Sequence, residues 1–288
     1  MDQHEASLRA IAVIGAGTMG NGIAQVAAMA GLQVTMIDIS DEAVQRGKST
    51  LARSLDRLVK KGTLAAADSQ AAQARVRGST AYTDVAGASL VIEAATENLE
   101  LKLRILRELD RLADADAVIA TNTSSISITQ LAAVLQRPER LIGTHFFNPV
   151  PMMALLEIIR GQQTSDATHA RAMAFARLVG KTPITVRNRP GFVVNRILCP
   201  MINEAIFVLD EGLATPEDID TGMRLGCNHP IGPLALADMI GLDTMLAVMN
   251  VFYDGFADPK YRPAPLLKEM VAAGRLGRKS GHGFYRYD

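Results

Sequence analysis

An excess of charge of either sign is missing from this chain. Thirty Lys and Arg are matched by 30 Asp and Glu, so the formal net charge is zero and the isoelectric point neutral. Proteins that bind nucleic acid or an anionic membrane through their overall field carry a cationic surplus, so both partners are disfavoured, a local basic patch apart. Cysteine is scarce. Cys199 and Cys227 are too few for a disulfide framework and have no metal-ligand spacing. The expectation is two reduced thiols in a cytoplasmic protein. Long apolar runs are lacking too, and none nears the roughly 20 residues of a membrane-spanning helix. The start, MDQHEASLRA, carries Asp2 and Glu5 and has no leader-like apolar stretch.

What is present describes an ordinary globular protein. The 288 residues are 48% hydrophobic and 21% charged, enough for a sizeable core and two domains. The spacing predicts a strand at 11–14, a glycine turn, a helix to Ala30 ended by Gly31, and a second buried strand at 34–38. Strand-like runs follow at 89–93, 117–121 and 141–147, with helical stretches between them. Such alternation implies an α/β fold: a Rossmann-like, mostly parallel sheet with right-handed crossovers. The stretch from Asp38 to Ser89 is too long for one crossover helix. Helix-like segments at 41–61 and 65–77 predict a helical hairpin inserted there. Its first helix carries Arg46, Arg53, Arg57, Lys60 and Lys61, either a solvated basic face or a cradle for a polyanion. Beyond Asn188 the strand signals fade. Helices are expected over 191–212, from a cap at Thr215 with Pro216 in the first turn, over 234–256 and over 264–273. The domain reading is 1–188 for a nucleotide-binding domain and 189–288 for an all-helical one.

GAGTMG, residues 15–20, follows a strand and opens a helix, and Asp38 closes the next strand. In that context Gly15, Gly17 and Gly20, with Thr18 and Met19 between them, predict a dinucleotide loop. Its glycines let a pyrophosphate approach backbone N–H groups at a helix N-terminus. Asp38 suits the ribose hydroxyls and repels a 2′-phosphate, and no Arg follows it directly, so the expected cofactor is NAD rather than NADP. Flavoproteins use the same fingerprint, so the catalytic groups must discriminate.

THFFNPVPMMALLEII, residues 144–159, sets a lone His beside a turn and a lone Glu inside the next apolar run. A dehydrogenase needs a base for the alcohol proton, and His serves near neutral pH. A buried carboxylate would fix its tautomer. His145 and Glu157 fit those roles if the turn at 148–151 folds the two runs side by side. The residues equally allow a packed core His145 and a solvent-facing Glu157 on an edge strand. The remaining histidines, His4, His169, His229 and His282, offer no pair with metal-ligand spacing. TNTSS, residues 121–125, ends a strand at the carboxyl edge of the sheet, where ligands bind, and can also cap a helix. Asn195 is a lone amide near the start of an apolar helix, either a satisfied core group or one facing a cleft.

GAGTMG, VIEAATENLELK, ATNTSSISIT, GTHFFNPVPMMALLEII, PGFVVNR, DIDTGMRLGCNHPIGPLALADMIGLD and GRKSGHGFY resemble, in order and spacing, the 3-hydroxyacyl-CoA dehydrogenases, most closely those of 3-hydroxybutyryl-CoA type. The resemblance runs from Ile11 to Tyr287. It implies NAD-dependent, reversible oxidation of an (S)-3-hydroxyacyl-CoA, with His145 as base and Glu157 orienting it. It implies Ser124 and Asn195 on the reacting oxygen and His145. Asn122, Glu97 and Lys102 fall around the nicotinamide and ribose, and Ser54 and Lys61 on coenzyme A. It also implies a homodimer through the helical domain. Acyl length, a dicarboxylic acyl group included, and pathway stay open. The competing readings are an NAD enzyme of a non-CoA 3-hydroxy acid and a non-catalytic NAD-binding structural protein.

Overall fold

The computed structural model describes residues 8–287, so His4 and the acidic start lie outside the described residues. The chain divides between Arg189 and Pro190 into two compact units.

The first unit is built on one eight-stranded sheet of order β3-β2-β1-β4-β5-β6-β7-β8. The strands are β1 (Ala10–Ile14), β2 (Gln33–Ile37), β3 (Val76–Ser79), β4 (Leu90–Glu93), β5 (Val118–Thr121), β6 (Leu141–Phe146), β7 (Leu155–Arg160) and β8 (Thr182–Arg187). Every pairing is parallel except β6 with β7. The central strands are covered on both faces, so they run as near-continuous apolar stretches such as AIAVI and VIAT. Each Val, Ile or Leu buried there contributes about 1.5–3 kcal/mol. The sequence reading names neither β3 nor β8. Both are edges: β3 contains Gly78, and β8 is half exposed, so neither shows an apolar run.

Strand order reverses between β1 and β4. The carboxyl ends on either side of such a switch point form a ligand crevice. Helix α1 (Thr18–Met29) leads from β1 to β2. Helices α2 (Asp41–Lys60) and α3 (Ala66–Ala74) stand between β2 and β3. Ser40 caps α2 by accepting from Ala43 N–H at 3.2 Å. Its buried positions, Val44, Gly47, Leu51 and Leu55, fall three and four apart and make one inward stripe. Gly47 lets α2 lie on the glycine loop, because a Cβ there would stand 2.7 Å from Ala16 O. Helices α4 (Leu99–Leu112), α5 (Ile128–Ala132) and α6 (Asp166–Leu178) complete the crossovers.

The second unit holds α7 (Val194–Asp210), α8 (Pro216–Gly226), α9 (Pro233–Ile240), α10 (Leu242–Phe256) and α11 (Pro265–Ala272). The helical pattern expected across 234–256 breaks at Gly241, whose φ is +101°, and α9 and α10 meet at 97°. Among the described residues no single helix is long and apolar enough to cross a membrane. Two buried aspartates lock this unit. Asp220 accepts from Leu234 N–H at 2.8 Å and Ala235 N–H at 2.9 Å, capping α9 from outside the helix. Asp238 accepts from Phe284 N–H at 3.0 Å, Tyr285 N–H at 2.9 Å and the Tyr287 hydroxyl at 3.0 Å. Gly283 makes room for this, since a Cβ there would lie 1.9 Å from Asp238 Oδ1.

Candidate active site

The glycine loop is shaped by contacts a side chain would block. Gly15 has φ +98°, and a Cβ on Gly20 would fall 1.7 Å from Gly15 O, inside the loop. Unlike α2, helix α1 has no side-chain cap, so its first N–H groups stay available to a phosphate. Thr18 is exposed and Met19 leans on the core. Asp38 reaches back over the loop. Its Oδ2 accepts from Ala16 N–H at 2.6 Å and its Oδ1 from Ile39 N–H at 2.7 Å. Ala16, Gly17, Thr18 and Asp38 line a cavity of about 380 Å³ with Ser40 and Arg46. An uncapped helix end, a glycine cradle and a fixed carboxylate in one cavity fit the adenosine and pyrophosphate half of NAD.

Glu93 ends β4 beside this loop and is fully buried. Its Oε2 pairs with Lys102 Nζ, also fully buried, and accepts from the Thr121 hydroxyl at 2.7 Å. Its Oε1 accepts from Ala95 N–H at 3.0 Å. Lys102 thus lies beneath the β4–α4 loop rather than on its surface. Removing one partner of such a pair strands a buried charge.

Glu97, exposed on that loop, gathers the serines at the end of β5. Its Oε1 accepts from the Thr123 hydroxyl at 2.9 Å, Ser124 N–H at 2.8 Å, the Ser124 hydroxyl at 2.9 Å and the Ser125 hydroxyl at 3.2 Å. Ser124 is thereby oriented by Glu97. Asn122 ties β5 to β6, its Oδ1 accepting from Phe146 N–H at 2.9 Å.

His145 and Glu157 stand directly opposite each other on the one antiparallel ladder of the sheet. Cross-strand partners point to the same face and touch. His145 Nδ1 lies 2.7 Å from Glu157 Oε2. His145 is 7% exposed and Glu157 0%, on a strand flanked by β6 and β8. Against an ionised carboxylate, which only accepts, the imidazole donates through Nδ1–H. The Phe147 ring packs on the imidazole with centroids 4.5 Å apart.

Ser54 and Lys61 lie on α2 and at its end, with Arg46, Arg53 and Arg57 on the outward side of the same helix. Among the described residues none of these cations has a carboxylate within ion-pair distance. Asn195 stands in the first turn of α7, in the second unit. Sequence reasoning missed Glu93 and Lys181. Glu93 carried the signal that marked Glu157, a lone carboxylate closing an apolar strand. Lys181 carried none, being a lysine after a glycine at a strand start.

Residues 10–189 match the profile of the 3-hydroxyacyl-CoA dehydrogenase NAD binding domain, and residues 191–287 that of the C-terminal domain of the same enzymes. A probable 3-hydroxybutyryl-CoA dehydrogenase of Bacillus subtilis is 50% identical over 98% of both chains. The 3-hydroxybutyryl-CoA dehydrogenase of Bradyrhizobium diazoefficiens is 49% identical over 98% of this chain and 96% of its own. The crystal structure of (S)-3-hydroxybutyryl-CoA dehydrogenase from Ralstonia eutropha superposes with a TM-score of 0.96. It is 65% identical and covers 98% of this chain and 99% of its own.

Proposed function

The chain belongs to the 3-hydroxyacyl-CoA dehydrogenase family, an NAD-dependent oxidoreductase of 3-hydroxyacyl-CoA, and from that premise we propose that His145 is its general base, held by Glu157, with a short-chain acyl substrate of the 3-hydroxybutyryl-CoA kind. The observation that carries the proposal is the buried 2.7 Å contact between His145 Nδ1 and Glu157 Oε2. NAD, when bound in the cradle of Gly15, Gly17, Gly20 and Asp38, would supply the acceptor for the C3 hydride. The protein does the rest. His145 Nε2 takes the hydroxyl proton, and Glu157 stabilises the imidazolium that forms, while the antiparallel ladder keeps the ring from turning. Ser124, aimed by Glu97, serves the reacting oxygen. Asn122 and Glu97 border the nicotinamide side, and Lys102 acts from below by holding the loop. Ser54, Lys61 and the cations of α2 receive the phosphates of coenzyme A.

A homodimer through the second unit is part of the proposal. Ile197 on α7, Leu213 in the turn that follows it and Met239 on α9 are 67%, 74% and 51% exposed, and a second copy would cover them. Light scattering tests this: a monomer mass at micromolar concentration would refute it.

The deciding experiment follows NADH consumption with acetoacetyl-CoA, with NADPH and free acetoacetate as controls. Turnover restricted to NADH and the thioester is expected. Equal turnover of free acetoacetate would favour a dehydrogenase of small 3-hydroxy acids, for which the cationic face of α2 has no use. NADH binding without any turnover would favour a structural role.

A further inference from the structure

Among the buried titratable groups, Lys181 has no part in the reaction just described. It follows Gly180, whose φ is +73°, and leads into β8. It is 8% exposed and forms no ion pair among the described residues. Its Nζ donates to Val150 O at 2.5 Å and Met153 O at 2.8 Å, both in the turn that joins β6 to β7. Burial pushes the ammonium below the usual lysine range. An apolar side chain would fill this site without that cost, so the two carbonyls are the reason for a cation here.

The hydrogen bonds of the turn show what the lysine adds. Pro149 O accepts from Met152 N–H at 3.0 Å and Met153 N–H at 3.1 Å, which closes the turn on itself. Ala154 O accepts from Thr182 N–H at 2.8 Å. The carbonyls of Val150 and Met153 are served by Lys181. On its other side the turn meets α1. A Cβ on Gly22 would stand 2.8 Å from Val150 Cβ and 3.6 Å from Pro151 Cδ, so glycine there lets the helix and the turn touch. That same helix presents its N-terminus in the NAD cavity. The turn is therefore wedged between the cofactor helix and Lys181, with His145 on the strand before it and Glu157 on the strand after.

We propose that Lys181 is a positioning residue that clamps the 150–153 turn against the dinucleotide helix and so fixes the spacing between the NAD cradle and the His145–Glu157 pair. The clamp rests on the reading of His145 as base. Hydride and proton leave the substrate together, so both partners must be in reach at once. A misplacement of about 1 Å lowers such rates by roughly a hundredfold.

The test is Lys181→Met, of similar length but without donors, beside Gly22→Ala, which pushes the turn from the opposite side. Melting temperature, NADH binding by fluorescence, kcat and KM for acetoacetyl-CoA are read for each. The expected result is a fall in kcat of roughly ten- to a hundredfold in folded protein that still binds NADH, with KM little changed. Lys181→Arg, which keeps donors for both carbonyls, should recover part of kcat. A folded Lys181→Met enzyme with wild-type kcat overturns the clamp. If that variant does not fold, Gly22→Ala decides by the same criterion, and wild-type kcat in folded Gly22→Ala overturns the clamp. Glu157→Gln is assayed alongside. If it is inert while Lys181→Met is fully active, only the clamp falls. If Glu157→Gln keeps wild-type kcat, the reading of the base itself falls, and the clamp with it.

Discussion

Both units bury carboxylates, and they use them differently. In the second unit Asp220 and Asp238 accept from backbone N–H groups and from the hydroxyls of Tyr285 and Tyr287. None of these donors changes charge near neutral pH, and burial and the aspartates hold both phenols above their usual range. These are fasteners. In the first unit Glu93 meets a lysine and Glu157 meets a histidine. Of these partner types, imidazole alone has an ordinary pKa near neutral pH. Burial of an acid therefore does not mark a reactive site. What separates the four is the kind of partner, backbone N–H groups and phenols in one unit, an ammonium and an imidazole in the other.

Substitutions can break that distinction. The largest effect expected is on Glu157→Gln, which should lower kcat by about 10³- to 10⁴-fold through the wrong tautomer of His145, with a nearly unchanged melting temperature. Steady-state kinetics with circular dichroism checks it, and a collapsed fold with normal specific activity would place Glu157 among the fasteners. Next comes Lys102→Met, which leaves Glu93 buried and unpaired. It should cost about 3–5 kcal/mol of stability in urea unfolding and weaken NADH binding, because the loop above it loses its anchor. Glu93→Leu added to Lys102→Met should recover much of the loss, and no recovery would contradict the stranded-charge account.

Asp238→Asn sets an amide N–H₂ against donors that need acceptors. It should cost about 1–3 kcal/mol, read by thermal melting, with kcat of the remaining folded protein little changed. A large loss of kcat at full stability would erase the contrast between the units. The smallest effect belongs to His169, on α6 and 2.8 Å from the Thr185 hydroxyl. Burial, then the charge of Arg160, holds its pKa below 6.5. The unfolded chain binds the proton at a higher pH than the folded one. Stability from this group is therefore complete above the unfolded value and declines as pH falls from there through the lowered folded value. His169→Gln should melt with a shallower dependence on pH between 7.5 and 5.5 than the parent, and parallel curves would rule this out.

Much of this was legible because local chemistry repeats at fixed spacing. The strand, glycine loop, helix and Asp38 each constrain the next, so GAGTMG and its flanks specify their own geometry. Thr215 caps α8 with Pro216 at its first turn, as its residues demand. His145 and Glu157 were legible as a question, since a lone Glu in an apolar run needs a partner. What stayed hidden depends on distant parts of the chain. β3 and β8 are edges whose pairing partners define them. The break at Gly241 lies inside a continuous apolar pattern, and only its positive φ separates α9 from α10. Lys181 is charged and follows a glycine, the look of a surface residue. Its burial comes from a turn some thirty positions earlier.

The single antiparallel pairing in this sheet gives the turn between β6 and β7 a further significance. Side chains alternate faces along a strand, so a slip of one residue in this ladder would carry Glu157 to the far side of the sheet from His145. A slip of two would set Leu155 or Ile159 opposite His145. The number of residues from 147 to 154 thus acts as a ruler. Insertion or deletion of a single residue there would disable the pair while leaving every side chain named in the chemistry unchanged.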